Sequence, residues 1–344
     1  MSESDHETTA ARRAVRQTNG IDEMSGCCSA VSRNADGSGQ SETADAGQKP
    51  MAPFADMRGR AGTVIAVKGG ESYVGTDEPV LSVDGEGPER KVVLADFHLE
   101  AETVTNARFA EFVRDTGYVT EAERFGCAAV FTGLLADKAL VAQNVAQTPW
   151  WARVDGATWH APEGPGSSIE TRMDHPVTQV SYHDALAFCA WVGGRLPTEA
   201  EWEHAARGGN QRRRFPWGNE EPTDETILCN IWQGRFPQHN SLADGYYGTA
   251  PVRSFVPTEQ GFYNLSGNVW EWTGDAFRIR SLSRRAKLRN EAARKSRDKV
   301  LKGGSFLCHK SYCYRYRIAA RMALSADSAS SNTGFRVAYD RHPA

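Results

Sequence analysis

The chain has 344 residues, 40% hydrophobic and 24% charged, with a formal net charge of -3. These are ordinary values for a soluble protein long enough to bury a sizeable core, and the global balance makes no case for nucleic acid or an anionic membrane. No apolar run approaches the ~20 residues of a membrane span. The opening MSESDHETTAARRAVRQTNG lacks the apolar stretch of a secretory signal, so a cytoplasmic location is expected.

Residues 1–60 read as a disordered extension, rich in Ser, Ala, Asp, Glu, Gly and Thr and almost without aromatics. Within it, MSGCCSA holds Cys27 and Cys28, read as incidental thiols. The folded domain is expected over 61–344. GTVIAVKGGESYVG and KVVLADFHLE carry strand-like apolar runs. Three helices follow, each marked by its ends. TNARFAEFVRDTG offers Thr105 as N-cap, an apolar stripe of Phe109, Phe112 and Val113, and Gly117 as the stop. SYHDALAFCAWVGG has Ser181 as cap, Asp184 at the third helical position and Gly193-Gly194 at the end. TEAEWEHAARGG supplies a capping box, Thr198 with Glu201, and a second Gly-Gly stop.

Beyond Gly209 the periodicity fades into a loop-rich chain with many Gly, Asn, Pro and Trp. Backbone of that kind needs internal partners or bound ions for its amides and carbonyls. FRIRSLSRRAKLRNEAARKSRDKVLK, 277–302, is basic and reads as a solvated helical insertion, with a peptide-attracting surface as the alternative.

Seven cysteines in a chain this long form no small-scaffold disulfide framework. In a reducing cytoplasm a close pair points to metal or redox chemistry. Cys308 and Cys313, in GGSFLCHKSYCYRYR, are such a pair. Five positions apart, they share neither a helix face nor a strand face, so they converge only if His309–Tyr312 make a turn. Lys310, Arg315, Arg317 and Arg321 would favour thiolates. No second Cys or His pair completes a tetrahedral zinc site, whereas two thiolates suit Cu(I). A buried, incidentally spaced pair is the alternative on spacing alone.

CHKSYCYRYRIAAR followed by SADSASSNTGFRVAYD resembles the C-terminal signature of the formylglycine-generating enzymes, or sulfatase-modifying factors. HPVTQVSYHDALAFCAWVGGRLPTEAEWEHAARGG, FPWGN, NIWQGRFP, DGYYGTAPV, GFYNLSGNVWEW and VLKGGSF continue the likeness through nearly all of 62–340. RLPTEAEWE, GNVWEW and GFR mark the broad superfamily, which includes binding modules and ergothioneine-pathway sulfoxide synthases. The cysteine pair marks its catalytic branch.

The resemblance implies a single α+β domain of low regular content, with the formylglycine-generating enzyme fold and a distant likeness to C-type lectins. It implies an O2-dependent oxidase that converts the cysteine of a Cys-x-Pro-x-Arg motif in unfolded sulfatases to Cα-formylglycine. By the same likeness Cys308 and Cys313 bind Cu(I), Ser305 is an active-site hydrogen-bond donor, and Trp150 and Asn332 line the substrate groove. Two structural Ca2+ sites are implied. Asn230, Asp244 and the carbonyls of Ile231 and Tyr246 match one, and Asn264, Glu271 and the carbonyls of Gly267 and Val269 match the other. Secreted relatives would carry disulfide cysteines where Ala206, Ile318 and Val337 stand, leaving Cys189 without a partner. Cys127 would border the groove. The rival readings are a partner-binding module without catalysis, and an iron-dependent sulfoxide synthase, which the dispersed histidines do not support.

Overall fold

The computed structural model describes residues 59–145, 148–209 and 211–343. The N-terminal extension, with Cys27 and Cys28, lies outside them. Strands β1 (Val64–Val67), β2 (Gly70–Val74), β3 (Arg90–Leu94) and β4 (Phe97–Glu100) open the domain. Helices α1 (Asn106–Thr116) and α2 (Glu121–Phe125) lead to β5 (Cys127–Phe131), β6 (Val141–Asn144) and β7 (Trp151–Asp155). Then come α3 (Tyr182–Trp191), α4 (Glu199–Arg207) and two short strands, β8 (Gly234–Arg235) and β9 (His239–Asn240). The last third holds β10 (Trp270–Ala276), α5 (Arg284–Lys295), β11 (Asp298–Lys302), β12 (Met322–Ser325), β13 (Thr333–Gly334) and β14 (Ala338–Tyr339).

The helix ends form as their sequences dictate. Thr105, Ser181 and Thr198 each accept a backbone N–H in the first turn, and Asp184 and Glu201 close capping boxes. Phe109 and Phe112 of α1 pack against Phe188 of α3, whose ring also meets Phe335 at 5.4 Å. Each such side chain, fully buried, stabilises the fold by roughly 1.5–3 kcal/mol.

Glu121 at the start of α2 accepts a hydrogen bond from His183 of α3, Oε2 to Nδ1, at 3.1 Å. That bond holds the imidazole above its ordinary 6.5. Burial pushes the Glu121 carboxyl up, but hydrogen bonds from His183 and Ser181 bring it net below its ordinary 4.5. A raised imidazole stabilises the fold below its unfolded value and loses that contribution as pH rises through the folded one. A depressed carboxyl does the reverse, losing its contribution toward acid. The pair therefore contributes most between the two. His183→Gln is expected to lower the melting temperature relative to wild type at about pH 5.5, with the gap closing by about pH 8.5. Parallel thermal melts check this, and a gap that does not change with pH overturns it.

Sheet order is β1-β4-β14, β2-β3, β5-β7-β6, β8-β9 and β12-β11-β10-β13. In the four-stranded sheet the pairs are antiparallel except β10 with β13, which run parallel. Behind it Arg336, wholly buried, donates to both oxygens of Glu271 at 2.6 Å and to the carbonyls of Ala101 and Tyr263. Trp202 Nε1 donates to the same carboxylate at 2.9 Å. RLPTEAEWE, GNVWEW and GFR therefore meet at one charge pair, which gives those three motifs a structural reason.

The expectation for 277–302 is corrected in part. α5 is the predicted helix, but 298–302 form an inner strand of the four-stranded sheet rather than part of a solvated helical insertion. Lys302 is fully buried there, 2.7 Å from Glu203 Oε1. Lysine at a strand end reads as exposed until its carboxylate partner on α4 is known.

Candidate functional site

β11 delivers the chain into the site through Gly303 and Gly304, both left-handed, with φ of 91° and 74°. A Cβ on Gly304 would lie 2.9 Å from the Tyr316 Cα, so the strand turns here only without a side chain. The backbone then doubles back. Cys308 N–H donates to the Ser305 carbonyl at 2.9 Å, and Cys313 N–H to the His309 carbonyl at 2.7 Å. This is the turn that convergence of the two cysteines requires. Their Sγ atoms stand 2.9 Å apart with both residues wholly buried, beyond the about 2.05 Å of a disulfide.

Ser305 and Asn332 join the same cluster. Ser305 N–H donates to Cys308 Sγ at 3.4 Å, and Asn332 Nδ2 donates to Ser305 Oγ at 3.0 Å. Asn332 is itself fixed by Ser330, whose Oγ donates to Oδ1 at 2.8 Å, and it sits one residue before β13. The four-stranded sheet thus sets both halves of the site. Neighbouring strands β11 and β10 place Ser305 and, through β13, Asn332.

Of the four cations expected near the thiols, the structure brings one. Arg315 Nη1 lies 3.8 Å from Cys313 Sγ, its Nε held by Asp84 at 2.6 Å. Lys310, Arg317 and Arg321 are engaged by Glu221, Glu86 and Glu199 instead. His309 turns its Nδ1 to Ser311 Oγ at 2.7 Å, away from the thiol pair, and burial keeps its imidazole below the ordinary value.

Trp150, half-buried, lines a cavity of about 460 Å3 with Phe131, Pro149 and Pro237. Its ring meets Tyr312 edge-on at 5.3 Å, and Tyr312 stacks on Phe236 at 4.0 Å. Tyr312 sits on the cysteine turn, so this aromatic set ties the cavity to the thiols. Sequence reasoning missed Tyr312 and Phe236. Tyr312 was within reach of it, as the aromatic between the two cysteines. Asp84 was not, because 231 residues separate it from Arg315. Cys127 opens β5, the strand that ends at Phe131 in the cavity wall, and Arg153 lies beside its thiol.

The oxygen-rich loops are placed as follows. Asp244 accepts from Tyr246 N–H at 2.9 Å and Gln233 Nε2 at 3.0 Å, and burial pushes its carboxyl up. Asn230 donates to the Gly248 carbonyl at 2.9 Å. Asn264 Oδ1 is buried with no hydrogen-bond partner, an acceptor suited to a cation. Glu271, expected beside it, is the counter-ion of Arg336, and three hydrogen bonds already occupy its oxygens. Among the described residues no three His, Cys, Asp or Glu side chains gather as a metal cluster, so any hard-ion site here would lean on amide and carbonyl oxygens.

Two convergent buried thiols, with a hydroxyl and an amide beside them, form the candidate site of this α+β scaffold. A family model for the sulfatase-modifying factor enzyme 1-like domain matches residues 49–341. The chain is 49% identical over 282 residues to the formylglycine-generating enzyme of Mus musculus, covering 81% of this chain and 76% of that protein. It is equally identical over 282 residues to that of Thermomonospora curvata, covering 80% and 93%. The solved structure of PvdO from Pseudomonas aeruginosa shares the fold, with a TM-score of 0.56 at 20% identity, over 86% of this chain and 100% of that one. The chain belongs to the sulfatase-modifying factor family, and it is an enzyme of that family. No helix among the described residues is long and apolar enough to cross a membrane.

Proposed function

We propose that this enzyme uses O2 to convert the cysteine of a Cys-x-Pro-x-Arg motif in an unfolded sulfatase to Cα-formylglycine, with Cu(I) held by Cys308 and Cys313. The observation that carries the reading is the cluster itself, in which both thiols, Ser305 and Asn332 are linked in one buried site. The donor set fits the ion, since two sulfurs on a short turn are soft ligands and offer no hard oxygen between them. Bound copper would supply the redox chemistry with O2 that protein side chains lack.

The chain's own residues do the rest. The Ser305 N–H donates to Cys308 Sγ, and the Arg315 guanidinium sets a positive charge 3.8 Å from Cys313 Sγ. Ser305 Oγ accepts from Asn332, which leaves the hydroxyl hydrogen to donate toward the reacting centre. Trp150, Phe236 and Tyr312 offer an apolar wall against which an extended polypeptide can lie while water is kept from the thiols. Both thiols are buried, so a polypeptide cysteine reaches them only when the 309–312 turn or its aromatic neighbours give way. The test is mass spectrometry of Cys-x-Pro-x-Arg peptides incubated in air with Cu(I)-loaded enzyme. Thiol-to-aldehyde conversion is expected, and its absence across several peptides overturns the reading in favour of a binding module.

The same reading includes Ca2+ as a structural ion, most firmly at Asp244 with Asn230 and the Ile231 and Tyr246 carbonyls. There a half-buried carboxylate has no cation in salt-bridge reach among the described residues. The second set rests on Asn264, with Glu271 contributing only what Arg336 leaves. An ion bound by the folded state alone raises its stability by mass action. A chelator should therefore lower the melting temperature, and Asp244→Asn should reproduce part of the loss and blunt the chelator's effect. Unchanged melting curves would remove calcium from the assignment.

A further inference from the structure

Residues 277–302 hold eleven basic and two acidic side chains in a chain whose net charge is -3. The two acids are already matched, Asp298 by Arg289 at 2.9 Å and Glu291 by Lys295 at 3.0 Å. Arg278, Arg280, Arg284, Lys287, Arg294 and Arg297 are all exposed. Arg90, Arg278 and Arg321 crowd Arg280 closely enough to hold its guanidinium below the ordinary range. Leu282 and Leu288 stand among these charges, 89% and 58% exposed. A positive face of this density, with apolar points set into it, calls for an anionic partner that also carries aliphatic groups.

Its position relative to the thiols matters. β11 begins at Asp298, on the basic side, and ends at Lys302, three residues before Ser305. α5 packs on Val300, five residues before Ser305, so the face lies up to about 17 Å along β11 plus a helix diameter of about 10 Å from the site. An extended polypeptide covers that distance in about eight residues.

We propose that this face docks an acidic, leucine-bearing stretch of the substrate polypeptide outside the modified motif, an inference that rests on the functional reading above. Two other polyanions fit less well. Nucleic acid would gain from exposed aromatics on which bases stack, but Phe277, the one aromatic in the segment, is buried. An interfacial membrane helix presents its apolar face to lipid, whereas Ala286 and Ala293 of α5 are packed on Phe277, Ile279 and Val300.

The experiment uses two peptides that share one Cys-x-Pro-x-Arg core. One carries a Glu/Asp/Leu tail beginning about eight residues from the cysteine, the other a neutral tail. Binding is read by fluorescence anisotropy on the Cys308→Ser protein, and KM and kcat on the copper-loaded enzyme. The acidic tail should tighten binding and lower KM roughly five- to tenfold at low salt, with kcat unchanged and the gain screened away as salt is added. Arg284→Glu, Lys287→Glu and Arg294→Glu together should erase the gain, and the neutral-tailed peptide should keep its values. Equal affinity for both tails, with aldehyde still formed from both, overturns the docking face and leaves the enzymatic reading standing. No aldehyde from either peptide, with the affinity gap intact, does the opposite. Tighter binding of a single-stranded RNA or of anionic vesicles than of the acidic tail also overturns the proposal.

Discussion

Cys308→Ser and Cys313→Ser are each expected to lose aldehyde formation by on the order of a thousandfold or more, and to lose Cu(I) affinity with it. Serine replaces a soft, ionisable sulfur with a hard hydroxyl that stays protonated, so either change breaks a two-thiolate set. The fold should survive. At position 308 the hydroxyl inherits the Ser305 N–H as a partner, and burying it costs about 1–3 kcal/mol at most. Three measurements are made on the same preparations: copper competition against a chromophoric Cu(I) chelator, peptide mass spectrometry and a thermal melt. If the cysteines serve as packing, the variants lose stability and keep activity. If they act as a metal-free redox couple, both variants lose activity while the wild type binds no copper. Either pattern excludes the copper reading.

Arg336→Met should be the most destabilising single change outside the site. It leaves the wholly buried Glu271 carboxylate with one neutral donor, Trp202 Nε1, and takes the Arg336 donor from the Tyr263 carbonyl, while the Ala101 carbonyl keeps the Tyr263 N–H. Breaking a buried pair by removing one partner costs about 3–5 kcal/mol, which in a domain of this size lowers the melting temperature by roughly 6–15 °C. Adding Glu271→Gln should restore part of the loss, because the orphaned charge goes with it. Differential scanning calorimetry of the three proteins decides. A single variant that melts with the wild type, or a double that melts below the single, removes the pair from its proposed place in the core.

The first half of the fold was legible because helix caps are local. Thr105, Ser181 and Thr198 do what their sequences announce. The tetrapeptide Thr-Glu-Ala-Glu occurs twice, and its copy at 120–123 makes the same capping box as the one at 198–201. Helix α2 was missed because five residues are too few for apolar periodicity to show. The loops after Gly209 were opaque for a different reason. Their backbone groups are satisfied by side chains far along the chain, as where the Asn268 amide accepts from Ala250 N–H at 2.9 Å and donates to its carbonyl at 3.0 Å. Such pairings leave no periodic trace. The cysteine turn could be anticipated as the condition for convergence, since at that spacing neither a helix nor a strand brings the two sulfurs together. The choice of Arg315 over Arg317 and Arg321 could not, because it depends on where Asp84, Glu86 and Glu199 lie in space.

Cys189 and Val337 share the main core, while Ala206 and Ile318 share the smaller one beside it, so packing stands where extracellular relatives would place covalent cross-links. The five cysteines of the described residues are all unbridged. Among the described residues no disulfide braces the scaffold. A thiol reductant can be raised as high as substrate handling demands without loosening it, and expression hosts need not be chosen for disulfide formation. A disulfide closed between the paired sulfurs of the 308–313 turn, 2.9 Å apart, would remove both from the proposed copper site, which makes their redox state a working gauge of a preparation.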